Sequence, residues 1–363
     1  MEQENPMPTP FDPIRLGAIE APNRILMAPL TRGRSTREHV PTPLMVEYYT
    51  QRASAGLIFT EATGITQQGL GWPYAPGIWS AEQVAAWRPV TDSVHKAGGR
   101  IACQLWHMGR LVHPSFLGGA QPVSSSATTG PGDAHTYDGK QRYQPARALS
   151  KDEIPALLDD YRNAARNALK AGFDGVQIHA ANGYLIDQFL RDNSNFREDE
   201  YGGSIENRVR LLREVTQAVV ETIGAGRTGV RLSPNGDTQG CNDSQPEALF
   251  TAAAAALSDI GVAYLELREP GMNGTFGKAE VPPIAPAIRR VFKAPLILNS
   301  DYDGESGQTM LDEGTADAIA FGRTFIANPD LPHRLREKLV LAKDNAKTWY
   351  SQGPEGYTDY PIA

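Results

Sequence analysis

His179, Asn182 and Tyr184 lie within six residues of one another, at the head of residues 177–208, QIHAANGYLIDQFLRDNSNFREDEYGGSIENR, just where an apolar run stops. Two neutral hydrogen-bond donors and a phenol in one strand-ending loop suit an enzyme that polarises a carbonyl and delivers a proton beside it. A phenol with a pKa near ~10 stays protonated at neutral pH. Alone, His179 reads as a satisfied core histidine and Tyr184 as a core aromatic of the next helix. With Asn182 and Gly183 between them, the catalytic reading outweighs both.

Short apolar runs elsewhere could bring other groups to the same place: residues 24–29 (RILMAP), 57–62 (LIFTEA), 100–105 (RIACQL), 175–180 (GVQIHA), 228–233 (TGVRLS), 264–269 (YLELRE), 295–300 (PLILNS) and 318–323 (AIAFGR). Amphipathic stretches such as 151–171 and 205–223 separate them, with apolar residues three and four apart. Nearly continuous apolar strands alternating with helices predict an α/β fold with a parallel sheet under helices. Eight units, with no G-x-G-x-x-G after the first strand, predict a (β/α)8 TIM barrel rather than an open sheet. A barrel needs ~250 residues, so the 363 present leave room for insertions. The longest, 107–150 after strand three, is expected to form a hairpin that caps the pocket. Residues 1–10 read as a flexible tail, 11–363 as one domain, and 344–363 as a C-terminal tail near the site.

Loops after barrel strands surround one mouth, so strand ends can be taken as a set. Thr31, Ala62, Gln104, His179, Asn182, Arg231, Ser300, Asp301, Gly322 and Arg323 all fall there. Gln104 and Arg231 are polar groups in apolar strands, which need partners. Phe321-Gly322-Arg323 after strand eight combines a glycine that lets backbone approach a ligand with a guanidinium suited to phosphate oxygens. By motif alone, phosphate site and surface turn are evenly matched.

Composition excludes other classes. The formal net charge is -7 and no Lys/Arg cluster offers a nucleic-acid footprint. Two cysteines, Cys103 and Cys241, without C-x-x-C spacing suggest neither a disulfide framework nor an iron–sulfur site; Cys103 reads as a buried strand residue and Cys241 as a loop thiol. His107, His113 and His135 show no metal-ligand pattern, so no catalytic metal is expected. With no apolar run of the signal-peptide or bilayer-spanning kind, a cytoplasmic protein without membrane attachment is expected. No heptad forces association, so monomer and homodimer are both compatible.

HAANGYL followed by the DxxxNxRxDEYGGSxENR pattern resembles the old yellow enzyme family of flavin-dependent ene-reductases, most of all its bacterial 2-cyclohexenone and N-ethylmaleimide reductases. The resemblance runs from NRILMAPLTR to GYTDYP, nearly the whole chain. It implies tightly bound, non-covalent FMN reduced by NADPH or NADH. Pro29, Leu30 and Thr31 then match the flavin-contacting loop; Ala62, Gln104 and Arg231 the pyrimidine side of the ring; Ser300, Asp301, Gly322 and Arg323 the phosphate cradle. His179 and Asn182 match the pair that holds the substrate's carbonyl oxygen, and Tyr184 the proton donor. Trp106, Thr238, Phe276 and Tyr350 match positions near substrate, with Phe276, like Trp72 and Tyr74, the weaker kind of candidate because loop aromatics often pack under their own loops. DEYGGSIENR is expected to brace its loop, with Ser204 as a helix N-cap.

Asn299-Ser300-Asp301-Tyr302 departs from the small residues of several relatives, and an aspartate side chain facing phosphate would be repulsive. Ser300 and Asp301 are therefore expected to offer backbone N–H groups, with the Asp301 carboxylate turned away. Thr238, where some relatives carry an aromatic, widens the expected pocket. The resemblance thus implies ping-pong hydride transfer to the β-carbon of activated alkenes, with protonation at the α-carbon and net trans addition. Enones, enals and maleimides are the expected class, extending to nitro compounds and nitrate esters because the same donors can hold a nitro oxygen. Rivals are a flavin-free phosphate-binding isomerase or aldolase, which would want a Lys, Glu or Asp base at a strand end, and a non-catalytic ligand-binding barrel.

Overall fold

The computed structural model describes residues 7–275, 277, 279 and 281–363. Eight strands carry the architecture: β1 Ile25–Met27, β2 Ile58–Phe59, β3 Ile101–Trp106, β4 Gly175–His179, β5 Thr228–Leu232, β6 Tyr264–Arg268, β7 Leu296–Asn299 and β8 Ala318–Phe321. All are buried along their length, as strands covered on both faces must be. Each pairs in parallel with the next, and Ile319 opposite Ile25 joins β8 to β1, closing the barrel. Except for β3, which keeps its length one residue further on, the strands are one to four residues shorter than the apolar runs, because the last residues of those runs leave the ladder to line the mouth.

Helices Ile154–Lys170, Ile205–Ile223 and Pro246–Ile260 pack side by side on the outside. Ile205–Ile223 buries Val209, Leu212, Val215, Thr216 and Val219, the three-and-four spacing of one face. Each such aliphatic side chain contributes about 1.5–3 kcal/mol on burial. Ser204 caps this helix by accepting from Asn207 N at 3.2 Å, as the motif predicts. An antiparallel hairpin, Ile14–Leu16 with Ile19–Ala21, sets Leu16 and Ile19 against Leu26, Phe59 and Tyr264, and Ala18 N donates to Gly226 O at 2.7 Å. Because Gly226 precedes β5, this hairpin covers the barrel mouth opposite the strand ends that carry the polar residues.

The insertion after β3 does contain a hairpin, Asp133–Thr136 paired with Gly139–Arg142. Near the start of the chain, Arg24 N donates to the Pro10 carbonyl and Gln308 Nε2 to that of Pro8. Cys241 is as fully buried as Cys103, so the loop thiol expected from its context lies inside. Among the described residues no helix is long and apolar enough to cross a membrane.

Candidate active site

The strand ends open into one cavity of about 820 Å³, within the range of small-molecule sites. Pro29, Leu30, Thr31, Ala62, Gln104, His179, Asn182, Tyr184, Arg231, Thr238, Ser300, Asp301, Gly322, Arg323 and Tyr350 all line it. Phe276 lies outside the described residues.

The loop after β4 has an unusual backbone. Asn182 and Gly183 take φ 59° and 76°, both left-handed, and the turn is held by Asn182 N donating to Ser233 Oγ and Gly183 N donating to Asp187 Oδ2, each at 2.8 Å. A Cβ on Gly183 would stand 2.5 Å from the Thr238 carbonyl oxygen, so close approach as well as φ requires glycine. This turn brings the Tyr184 ring to 4.9 Å from the His179 ring, nearly perpendicular to it. Burial, then the positive charge of Arg231, hold the His179 imidazole well below its usual pKa, so it is neutral. Burial pushes the Tyr184 phenol up, only partly offset by hydrogen bonding to Gln239, so it is protonated. His179 Nδ1 and Asn182 Oδ1 are buried without a protein partner, the kind of orphaned polar atom a ligand satisfies.

Trp106 is placed differently from its expected role. It is fully buried behind Tyr184, the two rings 5.0 Å apart at 85°, and it does not line the cavity. Strand alternation puts Trp106 on the same face as Gln104, but Tyr184 packs edge-on against its ring and takes the place on the cavity wall.

Beneath the cavity, polar side chains link across the strands. Gln104 Nε2 donates to Gln177 Oε1 at 2.7 Å, and Gln177 Nε2 donates to Glu266 Oε2 at 2.6 Å. Arg231 Nε donates to Glu266 Oε1 at 3.1 Å, Arg231 Nη2 to Asn299 Oδ1 at 2.6 Å, and Asn299 Nδ2 to the Ala320 carbonyl at 2.7 Å. The partners that Gln104 and Arg231 need are thus one another's neighbours. Burial raises the Glu266 carboxyl pKa, while Arg231 and Gln177 oppose the rise.

At the β7 and β8 ends the Asp301 side chain is not turned away. Its Oδ1 is 2.6 Å from Arg323 Nη2, and Thr275 donates to it from both backbone and hydroxyl. Burial would raise its pKa, but Thr275 and Arg323 together hold it below the usual value. The carboxylate therefore faces the arginine expected to take phosphate, because that guanidinium and the Thr275 donors stabilise its charge more than solvent on the far side would. Arg268, which motif reading passed over, also lines the cavity; burial and then Arg231 lower its pKa to about 10. Its signal in the sequence was a charged residue ending an apolar strand.

The roof comes from the inserted hairpin and the tail. Pro131, Asp133, His135 and Tyr143 line the cavity, and Trp72 packs at 4.7 Å on His135 and 5.1 Å on Tyr350. The tail is held by an arginine pair not singled out in the sequence. Arg32 donates to the carbonyls of Trp349 and Gly356, Arg34 to those of Thr348 and Trp349. Glu61 fixes the same segment, Oε2 accepting from the backbone N–H of Arg32 and Gly33 at 3.1 and 3.0 Å.

This donor set fits a flavin mononucleotide. Gln104 and Arg231 offer fixed polar edges to a flat heteroaromatic ring, apolar Pro29, Leu30 and Ala62 supply contact, and Arg323 with the Gly322 backbone can meet a phosphate. Among the described residues no three His, Cys, Asp or Glu side chains converge to hold a metal ion.

Comparison with known proteins gives the same picture. Residues 10–342 match the model of the NADH:flavin oxidoreductase / NADH oxidase family. An old yellow enzyme homologue from Zymomonas mobilis superposes with a TM-score of 0.97 at 64% identity, over 98% of this chain and 100% of that one. Morphinone reductase in complex with tetrahydroNAD gives 0.93 at 46% identity, over 98% of each chain. A putative 12-oxophytodienoate reductase 4 of Oryza sativa subsp. japonica is 44% identical over 99% of this chain and 93% of its own length.

Proposed function

Because the chain belongs to the NADH:flavin oxidoreductase / NADH oxidase family, in its old yellow enzyme group, we propose that this FMN-dependent oxidoreductase is an ene-reductase acting on activated alkenes. Family membership also sets aside the flavin-free isomerase or aldolase reading. FMN, when bound, would supply the hydride-transfer chemistry that links a nicotinamide cofactor to the substrate.

The chain's own residues do the rest. Thr31, Gln104 and Arg231 hold the ring, the guanidinium favouring the added negative charge of the reduced state. Gly322 and Arg323 hold the phosphate, with Ser300 contributing backbone. His179 and Asn182 donate to the electron-withdrawing oxygen of an enone, enal, maleimide or nitroalkene and favour enolate character as hydride reaches the β-carbon. A neutral imidazole can donate there without surrendering its proton. Tyr184 gives its phenolic proton to the α-carbon from the opposite face, so addition is trans, and water reprotonates the phenolate. Thr238, Trp72 and Tyr350 shape the space above, with Trp106 backing Tyr184. Reductant and alkene use the same cavity in turn, which makes the kinetics ping-pong.

The observation that carries this reading is that neutral His179, the Asn182 carboxamide and protonated Tyr184 line the same cavity. The test is an anaerobic NADPH titration followed by 2-cyclohexen-1-one. Bleaching of the yellow spectrum and its recovery on adding enone are expected; a reduced protein that enone does not reoxidise refutes the substrate class. Deuterium-labelled product showing cis addition would overturn the role given to Tyr184.

A further inference from the structure

Glu266 is fully buried on β6 and does not line the cavity, nor does Gln177. Its carboxylate nonetheless governs the two residues that do. An ionised carboxylate only accepts hydrogen bonds. Glu266 Oε2 therefore takes the Gln177 amide as donor, at 2.6 Å, which turns the Gln177 carbonyl toward Gln104. Gln104 must in turn donate its Nε2 to that carbonyl, at 2.7 Å, and its own Oε1 is left to serve the cavity as an acceptor. A carboxamide is nearly symmetric in shape, so nothing in its packing fixes which end faces a ligand. Here the direction is set two residues away. The other carboxylate oxygen takes Arg231 Nε at 3.1 Å, which fixes the plane of the guanidinium and sends Nη2 to Asn299.

We infer that Glu266 is a positioning residue for the pyrimidine edge of the flavin: through Gln177 it sets Gln104 as an acceptor, and directly it holds and balances Arg231. This rests on the flavin reading above. An acceptor from Gln104 matches the ring's N3–H, and a balanced Arg231 lowers the bound flavin's tendency to take electrons relative to an unbalanced one.

The experiment strips and reloads the protein with FMN or with N3-methyl-FMN, and measures both affinities together with the two-electron midpoint potential of the FMN form. Wild type is expected to prefer FMN over N3-methyl-FMN by about tenfold, the worth of one buried hydrogen bond. E266Q removes the charge beside Arg231 and can donate or accept, so the preference should fall below threefold. The ratio of reduced to oxidised FMN affinity should rise about tenfold, a positive shift of about 30 mV. E266D keeps the charge and should restore the potential. Q177L leaves the Glu266–Arg231 pair intact, so it should lose the N3 preference with little change in potential. A purely structural Glu266 would lower stability without moving either readout. Wild-type preference and potential in both E266Q and Q177L overturn the inference. Should E266Q not fold, an unchanged N3 preference in Q177L does the same. Wild-type protein that takes up neither flavin overturns this inference and the functional reading together, whereas flavin bound with unaltered variants removes this inference alone.

Discussion

Replacing Tyr184 by phenylalanine isolates the proposed proton delivery from everything else the loop does. The ring is held between Trp106 and His179, with centroids 5.0 and 4.9 Å away, so Tyr184→Phe keeps the packing and loses only the hydroxyl. A positioned general acid contributes roughly 10² to 10⁴ in rate, which corresponds to about 3–5 kcal/mol of barrier. Hydride transfer from the nicotinamide uses no proton from Tyr184 and should stay within about threefold of wild type. Anaerobic stopped-flow absorbance separates the halves: reduction by NADPH first, then reoxidation by 2-cyclohexen-1-one. The expected result is near-normal reduction and reoxidation slowed at least ~10²-fold. Burial raises the phenol's pKa above its ordinary value, so wild-type reoxidation should also show no loss of the acid up to pH ~10. Reoxidation within threefold of wild type, or equal slowing of both halves, refutes the assignment.

Gly183→Ala places a Cβ 2.5 Å from the Thr238 carbonyl at φ 76°. It should cost about 1–3 kcal/mol in urea denaturation and slow enone reoxidation as Tyr184 shifts. His107 is buried, and burial pushes its pKa down to about 3, whereas the unfolded chain's histidine binds a proton near ~6.5. The unfolded state therefore holds more protons between those values, and stability must fall as pH falls through that window, by about 1.4 kcal/mol per pH unit for this group. Urea midpoints between pH 6.5 and 5 should drop more steeply for wild type than for H107N; parallel curves would contradict it. Asp301→Asn removes the carboxylate that pairs with Arg323. It should tighten FMN about 2–5-fold, a pair of this exposure contributing up to ~1 kcal/mol, while leaving riboflavin, which has no phosphate, unchanged in fluorescence-quenching titrations.

Eight apolar runs of strand length, each followed by an amphipathic stretch, were enough to specify the barrel, because strands buried on both faces must be apolar throughout and barrel order follows chain order. The loop after β4 was legible for a related reason. His179, Asn182, Gly183 and Tyr184 are neighbours in sequence, so one strand end delivers them together. The same local logic placed Ser204 as a cap and the insertion after β3 over the cavity.

Side-chain direction was another matter. Gln104, Gln177, Glu266, Arg231 and Asn299 come from five strands spread over almost two hundred residues, and only strand register decides that they meet and who donates to whom. Repulsion from a phosphate predicted the Asp301 carboxylate turned away, but the Thr275 and Arg323 donors turn it to the guanidinium. The family resemblance put Trp106 near substrate, yet the Tyr184 ring packs against it and takes its place on the cavity wall. Arg32 and Arg34 reach carbonyls more than three hundred residues away, a pairing no local pattern encodes. Thus the chain alone determined the barrel and the one short loop to which we assign the proton and carbonyl chemistry. Tertiary structure decided the hydrogen-bond directions and charge balance of the cavity, because both depend on which distant donors and acceptors the closed barrel brings within about 3 Å.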